Sequence, residues 1–141
     1  MAIICILQEK PSDHFEIRRS LEGFHELLIV ENASQLMRLH PCSVDLIISR
    51  VYLERGNVFA FLHDLKQSEE FRDVPFVCLS GLHTRASRHF DPILADASRK
   101  LGADGYIVLD NYCSGEDCDC AALRSAIEHY IRPAHPKKYS H

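Results

Sequence analysis

Five short apolar runs recur along the chain, and the segments between them carry apolar residues on one side only. The first, residues 2–7, reads Ala-Ile-Ile-Cys-Ile-Leu without a polar break, as expected of a strand covered on both faces. Similar runs fall at residues 25–30, 44–49, 74–79 and 105–109. Ser12 reads as the N-cap of a helix through Leu21, with Asp13 and Glu16 at its positive end and Gly23 closing it. Asn32 or Ser34 caps a short helix through Leu39, and Pro41 ends it from beyond. Residues 50–57 read as a loop. Residues 58–68 then place Phe59, Phe61, Leu62 and Leu65 on one helical face.

Residues 84–101 have a helical pattern interrupted by Pro92. Two arrangements fit: a kinked helix, or a loop followed by a helix that Asp91 caps and Pro92 opens. A last helix covers residues 121–131 and Pro133 stops it, leaving residues 133–141 as a polar tail expected to be disordered.

Strands alternating with helices predict a (βα)5 domain over residues 1–132, with a parallel sheet, right-handed crossovers and helices on both faces. In such sheets ligands bind outside the carboxyl ends of the strands, where the strand order reverses. That rule singles out Gln8-Glu9, Asn32, Arg50, Ser80 and Leu109-Asp110.

Composition narrows the function. The chain has 141 residues, 46% hydrophobic and 26% charged, which suits one domain with its own core. A net charge of −4 with no basic run beyond Lys137-Lys138 gives no footprint for nucleic acid or an anionic membrane. The apolar opening is too short for a signal-peptide core and no run is long enough to span a bilayer, so a cytoplasmic location is expected. Without an export signal, free thiols are the default for Cys5, Cys42, Cys78, Cys113, Cys118 and Cys120. No G-x-S-x-G, P-loop, dinucleotide or paired-histidine motif is present, and no enzyme activity is expected.

Three stretches together carry a family resemblance: Val44-Asp45-Leu46-Ile47-Ile48-Ser49, then Pro75-Phe76-Val77-Cys78-Leu79-Ser80-Gly81, then Gly102-Ala103-Asp104-Gly105-Tyr106-Ile107-Val108. At these separations the chain resembles the receiver domain of bacterial response regulators over roughly residues 2–131. The resemblance implies a flavodoxin-like doubly wound sheet in the order 2-1-3-4-5. It also implies two-component phosphorelay signalling, in which two acidic residues after the first strand hold Mg²⁺ and an Asp ending the third strand accepts phosphate. A Ser or Thr after the fourth strand and a Lys after the fifth complete the family's site. Carried onto this chain, the acidic pair is Gln8 and Glu9, the acceptor position is Arg50, Ser80 keeps the hydroxyl, and the Lys position is Leu109.

A guanidinium stays protonated and has no lone pair to attack phosphorus, and Mg²⁺ binds hard oxygen ligands. The positions Gln8, Glu9, Arg50, Ser80 and Leu109 therefore read as a degenerate phosphorylation pocket with no metal or cofactor. Arg50 has two readings. It forms a charge-assisted pair with Glu9 that locks the pocket, or it joins Ser80 and strand-end N–H groups in binding a small anion. Ser80 and Tyr106 match the family's switch pair, which implies a partner face on the fourth helix, fifth strand and fifth helix. The bland reading is a loop hydroxyl and a packed strand tyrosine. Cys113, Cys118 and Cys120, interleaved with acidic residues, read as a solvated loop ahead of an acidic helix cap. Zinc ligation by the three thiolates, with His129 or a carboxylate as fourth ligand, and thiol redox sensing are the sharper readings.

The expectation is a stand-alone pseudo-receiver that signals by phosphorylation-independent protein contact, with a histidine kinase or an output protein as partner and a homodimer through the same face as a further form. No further domain is expected after the last helix, so output is expected from another chain. The alternatives are a small-anion sensor around Arg50 and a receiver phosphorylated at Asp45 or Asp110.

Overall fold

The computed structural model describes residues 2–9, 15–53, 56–80, 90–114 and 117–131. Five strands form one parallel sheet: β1 (Ile3–Leu7), β2 (Glu26–Val30), β3 (Leu46–Arg50), β4 (Phe76–Ser80) and β5 (Gly105–Val108). Their order is β2-β1-β3-β4-β5, the doubly wound arrangement expected from the sequence. Between them run α1 (Phe15–Leu21), α2 (Ala33–Met37), α3 (Phe59–Gln67) and α4 (Asp91–Lys100), and α5 (Cys120–Glu128) follows β5. The expected cap at Ser12, the segment from Thr84 to position 89, and the tail from 132 onward lie outside the described residues.

The unbroken apolar runs are strands because both their faces are covered. On one face Cys5, Leu7, Ile47, Phe76 and Cys78 pack with Leu36 of α2, Leu62 and Leu65 of α3, and Leu94 of α4. On the other, Ile4, Ile6, Leu46, Ile48, Val77, Leu79 and Ile107 meet Ile17 and Leu21 of α1 and Leu123 and Ile127 of α5. Successive strand residues alternate between these two clusters, as the two-residue period of a strand requires.

Polar side chains close the amino edge of the sheet. Asp45, just before β3, accepts the Ile3 N–H at 2.9 Å, and Asp104, just before β5, accepts the Phe76 N–H at 2.8 Å. His25, before β2, accepts the Ala2 N–H through Nδ1 at 3.0 Å, while its Nε2 lies 2.6 Å from Glu128 of α5. Each group takes up a strand-end donor that the ladder leaves unpaired. Lys66 joins this edge, donating to the Val74 carbonyl at 2.9 Å and to Asp104 at 3.3 Å. Gly102 turns at φ +108°, and a Cβ there would stand 2.8 Å from the Lys66 stem. At Gly105 a Cβ would meet the Tyr130 ring at 2.5 Å, so the missing side chain is what lets α5 lie against β5.

The structure corrects local expectations. Residues 50–57 are not simply a loop: Arg50 ends β3, and Tyr52–Leu53 pairs antiparallel with Gly56–Asn57. The α2 helix stops at Met37, and Pro41 opens a 3₁₀ turn over Pro41–Ser43. Asn32 is its cap, accepting the Gln35 N–H at 2.9 Å. Of the two arrangements around Pro92, α4 begins at Asp91, with Pro92 in its first turn where no helical N–H is lost.

Burial pushes the Cys5 and Cys78 thiols from 9.0 up to about 12. The folded thiols hold their protons more tightly than the unfolded ones do. Their stabilising contribution is therefore complete below pH 9 and is lost as pH rises toward 12. Stability should fall above pH 9 by about 1.4 kcal/mol per pH unit for each thiol. Urea melts between pH 8 and 11 check this, and Cys78→Ala should flatten the slope.

Candidate functional site

Register alone assembles the carboxyl end of the sheet. Leu7 pairs with Ser49 and Arg50 pairs with Leu79, so Gln8 follows β1 at the level where Arg50 ends β3. Ser80 pairs with Val108, which brings the start of the next turn, Leu109–Asn111, to the same edge. Gln8, Glu9, Arg50 and Ser80 are thus gathered at one end of three adjacent strands. Asn32 is beside them as the cap of α2, immediately after β2.

Their environments differ. Gln8 is buried, its N–H donates to the Val30 carbonyl at 2.8 Å, and its Oε1 is buried without a hydrogen-bond partner among the described residues. Glu9 and Arg50 are both half-buried. The β3 position that ends the strand therefore carries a permanent cation, with no carboxylate of its own to accept a phosphoryl group. Leu109 points inward: at 4% exposure it belongs to the apolar cluster with Leu123 and Ile127. A long cationic side chain at 109 would have to leave that cluster to reach the carboxyl edge.

Ser80 and Tyr106 are brought together by a residue whose part the sequence reading missed. One oxygen of Asp91 accepts from the Ser80 hydroxyl at 2.8 Å and from the Tyr106 hydroxyl at 2.8 Å. Asp91 was expected as a helix cap. Instead it is the first residue of α4, and Phe90 precedes it without capping through its side chain. The positive end of α4 favours a carboxylate there. Burial, followed by the hydrogen bond to Asp91, pushes the Tyr106 phenol above its usual range. The signal that could have located this group was Pro92, which restricts Asp91 to a helix start close to the end of β4. The three-residue link is Ser80 on β4, Asp91 on α4 and Tyr106 on β5.

Two further expectations are corrected here. Cys113 and Cys118 are joined by a disulfide, whereas Cys5, Cys42, Cys78 and Cys120 are free. The five-residue separation reads as an open loop in sequence, but Cys113–Ser114 and Asp117–Cys118 pair antiparallel and set the two cysteines opposite each other. That bond occupies two of the three sulfurs considered for zinc, and His129 stacks edge-on against Tyr130 at 5.1 Å. The expected acidic cap is present: Asp119 accepts the Ala122 N–H at 3.0 Å. Asp45, a rival phosphorylation position, lies before β3 at the opposite edge of the sheet rather than within the strand. Asp110 lies in the 3₁₀ turn after β5.

Beside this site, β5 and α5 enclose a cleft of about 270 Å³ lined by Tyr106, Tyr112, His129 and Tyr130, among others. Phe90 and Ile93, at the start of α4, are 53% and 65% exposed. Among the described residues no helix is long and apolar enough to cross a membrane.

No protein-family model matches the chain, and no curated protein matches it in sequence. Solved structures do match in fold. The signal receiver domain of a signal transduction histidine kinase from Syntrophus aciditrophicus is 23% identical at a TM-score of 0.65, covering 92% of this chain and 89% of that one. The N-terminal signal receiver domain of a Bacteroides fragilis two-component response regulator is 16% identical at a TM-score of 0.69, covering 94% and 98%. The receiver domain of a Pseudomonas aeruginosa sensor histidine kinase, with magnesium coordinated in its active-site cleft, is 16% identical at 0.64, covering 92% and 97%. At these identities the likeness establishes the receiver-domain fold.

Removing the shared acceptor should strand the buried Ser80 hydroxyl and the half-buried Tyr106 hydroxyl. Asp91→Ala is expected to cost about 1–3 kcal/mol, and Tyr106→Phe should cost less in that background than alone. Spectrophotometric titration should show the Tyr106 phenol ionising at lower pH in Asp91→Ala than in the parent chain.

Proposed function

We propose that this chain is a receiver-type signalling module that works by protein–protein contact, without phosphoryl transfer at the end of β3. The observation that carries this reading is Arg50. It ends β3 at the level of Gln8, in the place where the fold's phosphorylatable members carry an aspartate. Nucleophilic attack on phosphorus needs an oxygen with a free lone pair, and a guanidinium offers none. A metal needs clustered oxygen ligands, and the residues after β1 supply one carboxylate, Glu9, and one amide, Gln8. Arg50 pairing with Glu9 would hold the carboxyl edge in one arrangement without a ligand.

The surface offered to a partner is the face formed by α4, β5 and α5. It combines the exposed Ile93 with the aromatic cleft of Tyr106, Tyr112 and Tyr130. Aromatic side chains beside an apolar anchor are the residue types that dominate protein interfaces. The Ser80–Asp91–Tyr106 link joins that face to the carboxyl edge. In two-component signalling the partner would be a histidine kinase or an output protein. A second copy of the chain would use the same face.

An anion sensor around Arg50 is the weaker reading. Ser80 gives its one hydroxyl proton to Asp91, and that carboxylate repels an incoming anion.

Incubation with acetyl phosphate and Mg²⁺ followed by intact mass should give no phosphoryl adduct. An adduct on Asp45 or Asp110 would overturn the reading. Arg50→Asp should alter both thermal stability and partner affinity. Ile93→Glu should weaken partner capture at least tenfold, about 1.4 kcal/mol, while leaving the fold intact by circular dichroism. A stabilising shift on addition of phosphate, lost in Arg50→Ala, would favour the anion sensor instead.

A further inference from the structure

The connection between β5 and α5 carries chemistry that the receiver-like site does not use. Its antiparallel ribbon sets Cys113 opposite Cys118, with the two sulfurs bonded. The ribbon is held at both ends. The Tyr112 N–H donates to the Leu109 carbonyl at 2.9 Å, and the Asp119 N–H returns to the Tyr112 carbonyl at 2.8 Å. Asp119 then caps α5.

The two sulfurs line one cavity and pack against one apolar cluster, but they differ in exposure. Cys113 is 5% exposed and packs in the apolar cluster with Leu109, Leu123 and Ile127. Cys118 is half-buried and opens, with Asp110, Asp117 and Asp119, onto a cavity of about 480 Å³. The chain also keeps the exposed Cys42 and the half-buried Cys120 as free thiols. Accessible thiols and a disulfide in one chain exchange with each other and with small thiols.

We propose that Cys113–Cys118 is a reversible thiol–disulfide exchange site whose reagent is a small disulfide carrying neutral or positive charge. In the reduced chain the Cys118 thiolate attacks one sulfur of R–S–S–R. The reagent's S–S bond breaks, RS⁻ leaves and takes up the proton that Cys118 released, and a mixed disulfide stands on Cys118. The Cys113 thiolate then attacks the Cys118 sulfur and expels the second RS⁻, which takes the proton from Cys113. Two protein thiols are oxidised and one R–S–S–R is reduced to two R–SH; excess R–SH runs the steps backward.

Access decides the order of attack, since Cys118 is half-buried and Cys113 is only 5% exposed. Charge decides the reagent. Three carboxylates around the accessible sulfur attract a cationic disulfide and repel an anionic one over a range of about 10 Å. When the bond opens, Tyr112 keeps its two backbone hydrogen bonds but loses the covalent closure one residue away from the cleft it lines with Tyr106 and Tyr130. The exchange chemistry does not depend on that cleft binding a partner.

The test uses the full chain, reduced and freed of reductant. It is incubated separately with cystamine, hydroxyethyl disulfide and glutathione disulfide, then quenched by alkylation under denaturing conditions. Of the six cysteines of the sequence, peptide mapping should show Cys113 and Cys118 withdrawn from alkylation as a pair that carries no reagent. Cystamine should react about tenfold faster than glutathione disulfide at low salt, with the ratio shrinking as salt is added. Cys113→Ser should stop at the mixed disulfide on Cys118, and Cys120→Ser should leave the rate unchanged. Circular dichroism of the reduced chain checks that it remains folded. Failure of all three reagents to close the bond in a folded chain would overturn the proposal, as would a first adduct on Cys120. Equal rates for the three would overturn the charge selection.

Discussion

The parallel register of β3 between β1 and β4 is the constraint on which the rest of the molecule depends. Leu7 opposite Ser49 and Arg50 opposite Leu79 bring three strand ends to one level. Parallel strands also send every connection across a face of the sheet, so the helices cover both sides and the apolar runs become core. A slip of one residue would exchange the two faces and bring Ser49, fully buried here, into the wrong cluster.

The two ends of this sheet are built differently. At the amino edge Asp45, Asp104 and His25 take up strand-end N–H groups, and each is a short-range solution to an unpaired donor. Their carboxylates and imidazole are used in holding strands, which is why Asp45 is poorly placed to accept a phosphoryl group. At the carboxyl edge the polar residues are spread over several elements and include a buried amide oxygen, that of Gln8, without a hydrogen-bond partner among the described residues. Buried polar atoms left unpaired cost stability, and such costs concentrate where structure serves something other than folding.

The edge containing β5 connects the carboxyl-end site to the surface. Asp91 binds Ser80 and Tyr106 through one oxygen, so the end of β4, the start of α4 and β5 share one acceptor. A few residues further on, the Cys113–Cys118 bond ties the turn after β5 to the start of α5. Tyr106, held by the hydroxyl link, and Tyr112, next to the disulfide, line one cleft.

The sequence by itself determined the element order, the parallel sheet and most of the core, because those follow from local periods: unbroken apolar runs for strands covered twice, and one-sided patterns for helices. It also determined that Arg50, Gln8 and Leu109 stand at positions the receiver resemblance makes functional, since strand ends are legible wherever a run stops. What it could not give were relations between residues distant in the chain. Asp91 looked like a cap because its sequence neighbourhood is that of a helix start. Only the placement of α4 against β4 and β5 turned its carboxylate toward two hydroxyls. Cys113 and Cys118 looked like free thiols because composition reports the compartment, while a bond needs two side chains to face each other. Leu109 shows both limits at once. Its position was readable, but its burial against α5, which makes it core, was decided by the fold.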